Sequence, residues 1–134
     1  MSDERGELER VEREARADAK IRKAFAGSPF EIQQRLGSGS VGRVYRAVEK
    51  KAGRAVALKV VHAEGDPDEV ERFAREARLI GQLKHRNVLT LHSAHEHGDY
   101  HWLSLELVEG PTLAERLSRG RLPWREALSI ARGI

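Results

Sequence analysis

Residues 55–61 read Ala-Val-Ala-Leu-Lys-Val-Val, an apolar run broken by one charge, Lys59. A near-continuous run of this kind suits a strand covered on both faces. Residues 43–48, Arg-Val-Tyr-Arg-Ala-Val, are rich in β-branched and aromatic side chains and predict another strand, joined to the first across a turn at Lys50-Lys51-Ala52-Gly53. Phe30, Ile32 and Leu36 mark a strand before both. After residue 61 the period changes. Projected at about 100° per residue, Val70, Phe73, Ala77, Ile80 and Leu83 fall on one arc, with Glu71, Arg75, Arg78 and Gln82 opposite. Asp66 suits the N-cap of that helix, Pro67 its first position and Glu69 its third, a capping box. Strand character returns at 88–91 and again at 100–108, on either side of the turn signal Gly98-Asp99.

The ends of the chain read differently. Residues 3–24 are mostly Glu, Arg, Ala and Asp, good helix formers with a thin apolar stripe at Leu8, Val11 and Ala15 that continues weakly to Ile21. Two outcomes are open for this helix: solvated and frayed, or docked on the body or on a second copy. Gly27-Ser28-Pro29 ends it, and the folded domain should begin at Phe30. At the other end Thr112-Leu113-Ala114-Glu115 is a second capping box opening a short helix that stops near Gly120. A last helix starts at Pro123, with Trp124, Leu128 and Ala131 on one face.

Two charges stand where the pattern wants apolar residues. Lys59 interrupts the buried strand, and an ammonium there is costly unless paired, although an edge strand would let it snorkel to water. Glu76 falls inside the apolar arc of the helix, between Ile80 and Leu83 and past the first turn, so the helix dipole does not account for it. The two make a natural couple. The alternative pairs Glu76 with Arg72 on the surface, at i, i+4 spacing.

Just upstream lies Leu36-Gly37-Ser38-Gly39-Ser40-Val41-Gly42-Arg43-Val44. A Gly-x-Gly-x-x-Gly run lets backbone approach a phosphate closely, because glycine carries no Cβ. Two unrelated architectures use it. In a dinucleotide-binding βαβ unit the third glycine opens a helix, and Glu64 lies about where a ribose-binding acid would fall. Here a strand follows instead, which places the glycines at the tip of a β-hairpin.

Gly37-x-Gly39-x-x-Gly42-x-Val44, Val56-Ala57-Leu58-Lys59, Phe73-x-x-Glu76 and His85-x-Asn87-Val88, in that order and at these intervals, resemble the N-terminal, ATP-binding lobe of a eukaryotic-type (Hanks-type) serine/threonine protein kinase. The resemblance covers about residues 30–134. It implies an α+β fold: a five-stranded antiparallel sheet with one packed regulatory helix, an N-terminal helical extension (1–27), the small lobe with its hinge (28–108) and the start of the large lobe (109–134). It implies ATP as ligand, with Gly37, Ser38, Gly39, Ser40 and Gly42 covering the phosphates, Lys59 on the α and β phosphates, and Glu76 holding Lys59. Leu36 and Val44 would sandwich the adenine with Ala57 beside them, and Ile80 and Leu91 would belong to the family's internal spine. Leu105 would be the gatekeeper, and the carbonyl of Glu106 with the amide and carbonyl of Val108 would read the adenine edge. Val41 departs from the aromatic residue many kinases carry at the hairpin tip, and Leu107 from one frequent in the hinge.

The resemblance also sets a boundary. The family's His-Arg-Asp catalytic loop and Asp-Phe-Gly metal motif do not occur in these 134 residues. The expectation is therefore an ATP-binding portion without transferase activity of its own, with Mg²⁺ and the protein substrate belonging to the full-length family. A kinase-like regulatory module, acting through a partner at the face of Trp124, Leu128 and Ala131 or self-associating there or through the N-terminal helix, is the other class consistent with the pattern.

Composition narrows the rest. Hydrophobic residues are 40%, enough for one modest core, and with no cysteine disulfide and thiol chemistry are excluded. Lys plus Arg number 24 against 21 Asp plus Glu, and a net +3 spread along the chain argues for neither nucleic acid nor membrane. The first residues, Met-Ser-Asp-Glu-Arg-Gly-Glu, do not form a signal peptide, so a soluble, cytoplasmic chain is expected. His92, His95, His97 and His101 crowd one hairpin, with His95 and His97 on one strand face. No Cys/His spacing signature accompanies them, so uncommitted surface histidines are expected rather than zinc ligands.

Overall fold

The computed structural model describes residues 2–38, 42–64 and 66–134, with only the backbone for Ser2, Asp3 and Ser38. Gly39, Ser40 and Val41, the centre of the glycine run, lie outside the described residues. The elements are α1 (Ser2–Phe25), β1 (Phe30–Ser38), β2 (Arg43–Glu49), β3 (Arg54–His62), α2 (Pro67–Gln82), β4 (Leu91–His97), β5 (Tyr100–Glu106), α3 (Leu113–Ser118) and α4 (Trp124–Gly133). The strands form one antiparallel sheet in the order β1-β2-β3-β5-β4. This is the α+β small-lobe architecture, and no helix opens after Gly42.

β3 is central, and its register explains its apolar run. Cross-strand partners in an antiparallel pair project to the same face. Val44 is opposite Lys59, Ala57 opposite Leu105, and Lys59 opposite Leu103. On the other face Tyr45 is opposite Leu58, Ala47 opposite Val56, and Val60 opposite Trp102. Each face has its own core. Val61, Leu103 and Leu105 pack with Phe73 of α2, flanked by Ala57, Val70, Ala77, Ile80 and Leu91. Tyr45, Ala47, Val56, Leu58, Val60 and Trp102 pack with Phe30 and with Ile21 and Phe25 of α1. Two helices therefore enclose the sheet from opposite sides, and β3 is covered on both.

Of the two outcomes open for the N-terminal helix, the structure shows docking. The contact is made by Ile21, Ala24 and Phe25, whereas Leu8 and Val11, at the head of the expected stripe, are more than half exposed. Helical period locates a stripe but not the turns that meet the sheet, and the first half of α1 overhangs it. Phe25 meets Trp102 edge to face at 4.8 Å. The Arg22 guanidinium donates to the carbonyls of Ile32 (3.1 Å) and Gln33 (3.0 Å) on β1, the outer strand.

Two local expectations are corrected. The Asp66 carboxylate caps α2 by accepting from the amide of Asp68 at 3.0 Å rather than that of Glu69, so the N-cap forms but the expected capping box does not. The second is complete, with Thr112 and Glu115 bonded reciprocally at 3.1 and 2.7 Å. β4 begins at Leu91 instead of residue 88, because Val88 closes a turn onto the His85 carbonyl and Thr90 is held by Glu106. The strand therefore runs on through the histidines to His97, where its neighbour β5 needs a partner.

Candidate functional site

Lys59 and Glu76 meet. Nζ of Lys59 donates to both carboxylate oxygens of Glu76, each at 2.7 Å. The Lys59 side chain is 17% exposed and that of Glu76 38%, so the cation is enclosed while its partner keeps contact with water. The strand fixes the first and α2, seated through Phe73 three residues earlier, fixes the second. Arg72, the surface alternative, instead lies 3.7 Å from the Asp66 carboxylate.

Around the pair the sheet gathers the other residues named from sequence. Val44 and Ala57, half-buried, and Leu105, buried, share the face of Lys59. Leu36 sits at a register break between Arg35 and Gly37, a bulge in β1 that frees it from cross-strand pairing, and it is 47% exposed. The Glu106 amide donates to the Thr90 carbonyl at 2.8 Å, anchoring the chain where it leaves β5. Val108, two residues on, is exposed outside any helix or strand, and among the described residues its amide and carbonyl have no hydrogen-bond partner. Arg46 of β2 reaches over to Glu109 at 2.5 Å, tying the hairpin side of the sheet to this exit segment.

The glycines divide sharply. Gly42 has φ +75°, and a Cβ there would collide with the Val60 carbonyl oxygen and press on the Val61 side chain, so β2 can begin only with glycine. Gly37 has no such need: its backbone is in the ordinary region, and a Cβ would meet nothing within 4 Å.

A groove of about 750 Å³ lies away from Lys59. It runs between α1 and the far ends of β3 and β5, and among the described residues of the glycine run it touches Gly42. The four histidines do not converge as a ligand set: His95 stacks on Trp102 at 5.6 Å and His101 lies 3.6 Å from Glu96. Among the described residues the grouping with metal-ligand reach is His62, Glu64 and Asp99, all exposed, with ligand atoms within 4.8 Å of one another. No described helix is long and apolar enough to cross a membrane.

Sequence reasoning missed a second charged assembly, on the opposite face. Asp18 of α1 accepts a 2.5 Å hydrogen bond from the Tyr45 hydroxyl and lies 3.5 Å from Arg35 and 3.6 Å from Arg43. Glu14 accepts from Arg35 at 3.0 Å, a bond that holds the Glu14 carboxyl below its usual pKa and the guanidinium above its own. Burial, helped by the bond to Asp18, pushes the Tyr45 phenol well up. A signal was available: Asp18 precedes Ile21 by three and Phe25 by seven, an acid within the docking stripe, as Glu76 is within its own.

A five-stranded sheet with a lysine on its central strand, a glutamate reaching it from a packed helix and a glycine hairpin at one end defines a protein-kinase small lobe. Comparison with known proteins agrees. A family profile described as protein kinase domain matches residues 30–134, and the chain belongs to that family. It is 38% identical over 103 residues to serine/threonine-protein kinase pkn2 of Myxococcus xanthus, covering 75% of this chain and 12% of that protein. Against serine/threonine-protein kinase PknL of Mycobacterium bovis the figures are 32% over 117 residues, 85% of this chain and 29% of the relative. Against PknA of Mycobacterium tuberculosis they are 37% over 109 residues, 75% and 25%. The chain thus spans less than a third of the length of each of these bacterial relatives.

Proposed function

We propose that the chain is the ATP-gripping portion of a protein kinase that transfers a phosphoryl group to serine or threonine hydroxyls of a protein substrate. The observation that carries this is the Lys59–Glu76 pair. An enclosed ammonium held at 2.7 Å by a helix-borne carboxylate still has donor capacity to spare for phosphate oxygens. Gly37 adds to it, since the fold leaves open space where a side chain could stand and so supplies no other reason for glycine.

In this reading the backbone from Gly37 through Ser38, Gly39, Ser40 and Gly42 covers the phosphates, Lys59 binds the α and β phosphates, and Glu76 keeps Lys59 in place. Leu36, Val44 and Ala57 contact the adenine face, Leu105 closes the back of the pocket, and the Glu106 carbonyl with the Val108 amide and carbonyl meets the ring edge. Mg²⁺ accompanies ATP, but no residue here is assigned to it, and neither His-Arg-Asp nor Asp-Phe-Gly is present. These 134 residues alone therefore bind nucleotide weakly and transfer nothing; the setting is cytoplasmic, where ATP is supplied. A titration of the chain with Mg-ATP, followed by NMR, tests the reading. Shifts are expected at Gly37, Ala57 and Val108, and Lys59→Met should weaken them at least about tenfold without unfolding the sheet. Equal affinity in the variant refutes the assignment of Lys59, and no shift in the parent chain refutes the nucleotide site.

A second reading has its own observation. On α3 and α4 Leu117, Trp124 and Leu128 are 51%, 69% and 43% exposed, an apolar surface suited to a partner. A kinase-like module working by partner binding would expose it, and a monodisperse complex or dimer through α4, together with absent nucleotide shifts, would favour that reading.

A further inference from the structure

The charged assembly under α1 sits beneath the glycine hairpin on the face away from Lys59. Arg35 lies two residues before Gly37, and Arg43 directly follows Gly42, so the two arginines mark the feet of the hairpin, where Ser38 pairs with Arg43 and Gly37 with Val44. One carboxylate reaches both feet. Asp18 holds Tyr45 at 2.5 Å, and its two oxygens face Arg43 at 3.6 Å and Arg35 at 3.5 Å. Glu14, one turn earlier on α1, takes the other amino group of Arg35 at 3.0 Å. Two acids balance two bases in a half-buried cluster: Asp18 is 25% exposed, Arg43 29%, Arg35 31% and Glu14 36%. The helix behind this grip cannot drift, because Ile21 and Phe25 are buried in the outer core one and two turns on.

We propose that Asp18 is a positioning residue for the base of the glycine hairpin: by tying Arg35 and Arg43 to α1 from behind, it fixes Gly37 and Gly42 where they meet nucleotide phosphates and so strengthens the hold on them. This rests on the nucleotide reading above. It assigns the charged turns of α1 a task separate from the apolar packing of Ile21 and Phe25.

Asp18→Asn is the discriminating variant, because it keeps the volume and an acceptor for the Tyr45 hydroxyl but removes the charge facing Arg35 and Arg43. Amide hydrogen exchange would be measured residue by residue on the whole chain, beside a Mg-ATP titration. The expected result is exchange at 36–38 and 42–44 faster by roughly tenfold, with Leu58 and Leu103 of the central strands unchanged within about twofold, and a several-fold loss of ATP affinity. Asp18→Asn combined with Arg43→Gln should add little to the single change, because the two share one interaction. Unchanged exchange at the hairpin overturns the proposal. So does a uniform rise across the sheet, which would make Asp18 a contributor to stability alone. If the parent chain shows no ATP shifts, the nucleotide reading fails and the clamp is judged on exchange alone.

Discussion

Phe25→Ala asks whether α1 belongs to the fold or merely precedes it. Phe25 is 3% exposed and packs its ring edge to face on Trp102 at 4.8 Å, with Ile21 and Phe30 in the same cluster. Truncating a buried phenylalanine costs about 3–5 kcal/mol, of which an aromatic pair beyond its area supplies about 0.5–1.5. Phe25 closes the last turn of its helix, where the chain can settle into part of the void, so the lower end, about 3 kcal/mol, is expected. For a domain of this size that lowers Tm by roughly 10 °C. Tryptophan emission supplies a local readout, because Trp102 is 5% exposed and Trp124 is 69% exposed, so a red shift on substitution reports water at Trp102. Leu8→Ala, on the overhanging part of the helix at 60% exposure, should change stability by less than about 0.5 kcal/mol. A Phe25→Ala chain melting within about 2 °C of the parent, with unshifted emission, would refute the docking of α1 as an energetic contact.

The two described glycines of the hairpin should separate stability from function. Gly42→Ala forces a Cβ against the Val60 carbonyl at positive φ and should cost at least about 2 kcal/mol, read by denaturant titration, whereas Gly37→Ala should leave stability within about 1 kcal/mol and lower ATP affinity. The phenols make alkaline stability checkable. Tyr45 and Tyr100 are the only two tyrosines, and burial raises both above the ordinary value of 10.0. A raised folded pKa gives stability that is complete below about pH 10 and declines above it, because the unfolded chain ionises first; for Tyr45 the loss approaches about 1.4 kcal/mol per pH unit. The Tyr45 share of the tyrosinate absorbance should therefore appear together with unfolding, and Tyr45 titrating in the folded chain near pH 10 would contradict its burial.

Much of this architecture is legible in the sequence because strands and helices announce themselves by period. The near-continuous apolar run of β3 requires cover on both faces, and the covers are α1 and α2. Lys59 and Glu76 are legible for a related reason: each is a charge set within an apolar pattern, and the pattern dictates which side of its element the charge faces. Asp18 obeys the same logic but is hidden, because the apolar stripe of α1 opens at Leu8 and Val11, on the turns that overhang, and only the packing of Ile21 and Phe25 shows which turns meet the sheet. The start of β4 escapes for another reason. Val88 and Leu89 read as strand, but pairing is decided by what β5 offers, and β5 selects a polar segment that no local preference would choose. The split between Gly37 and Gly42 is likewise invisible along the chain, since only the approach of the Val60 carbonyl distinguishes them.

The guanidinium of Arg22 has a consequence for solubility. The outermost strand of an open sheet offers unpaired backbone groups to any passing extended peptide, and here a cation from the first helix occupies two of those carbonyls, at Ile32 and Gln33. α1 is thus a guard against strand-to-strand recruitment between molecules. Trimming the chain before Phe30 would bare both an oily surface and a sticky border at once, and self-assembly rather than simple unfolding is the outcome to look for.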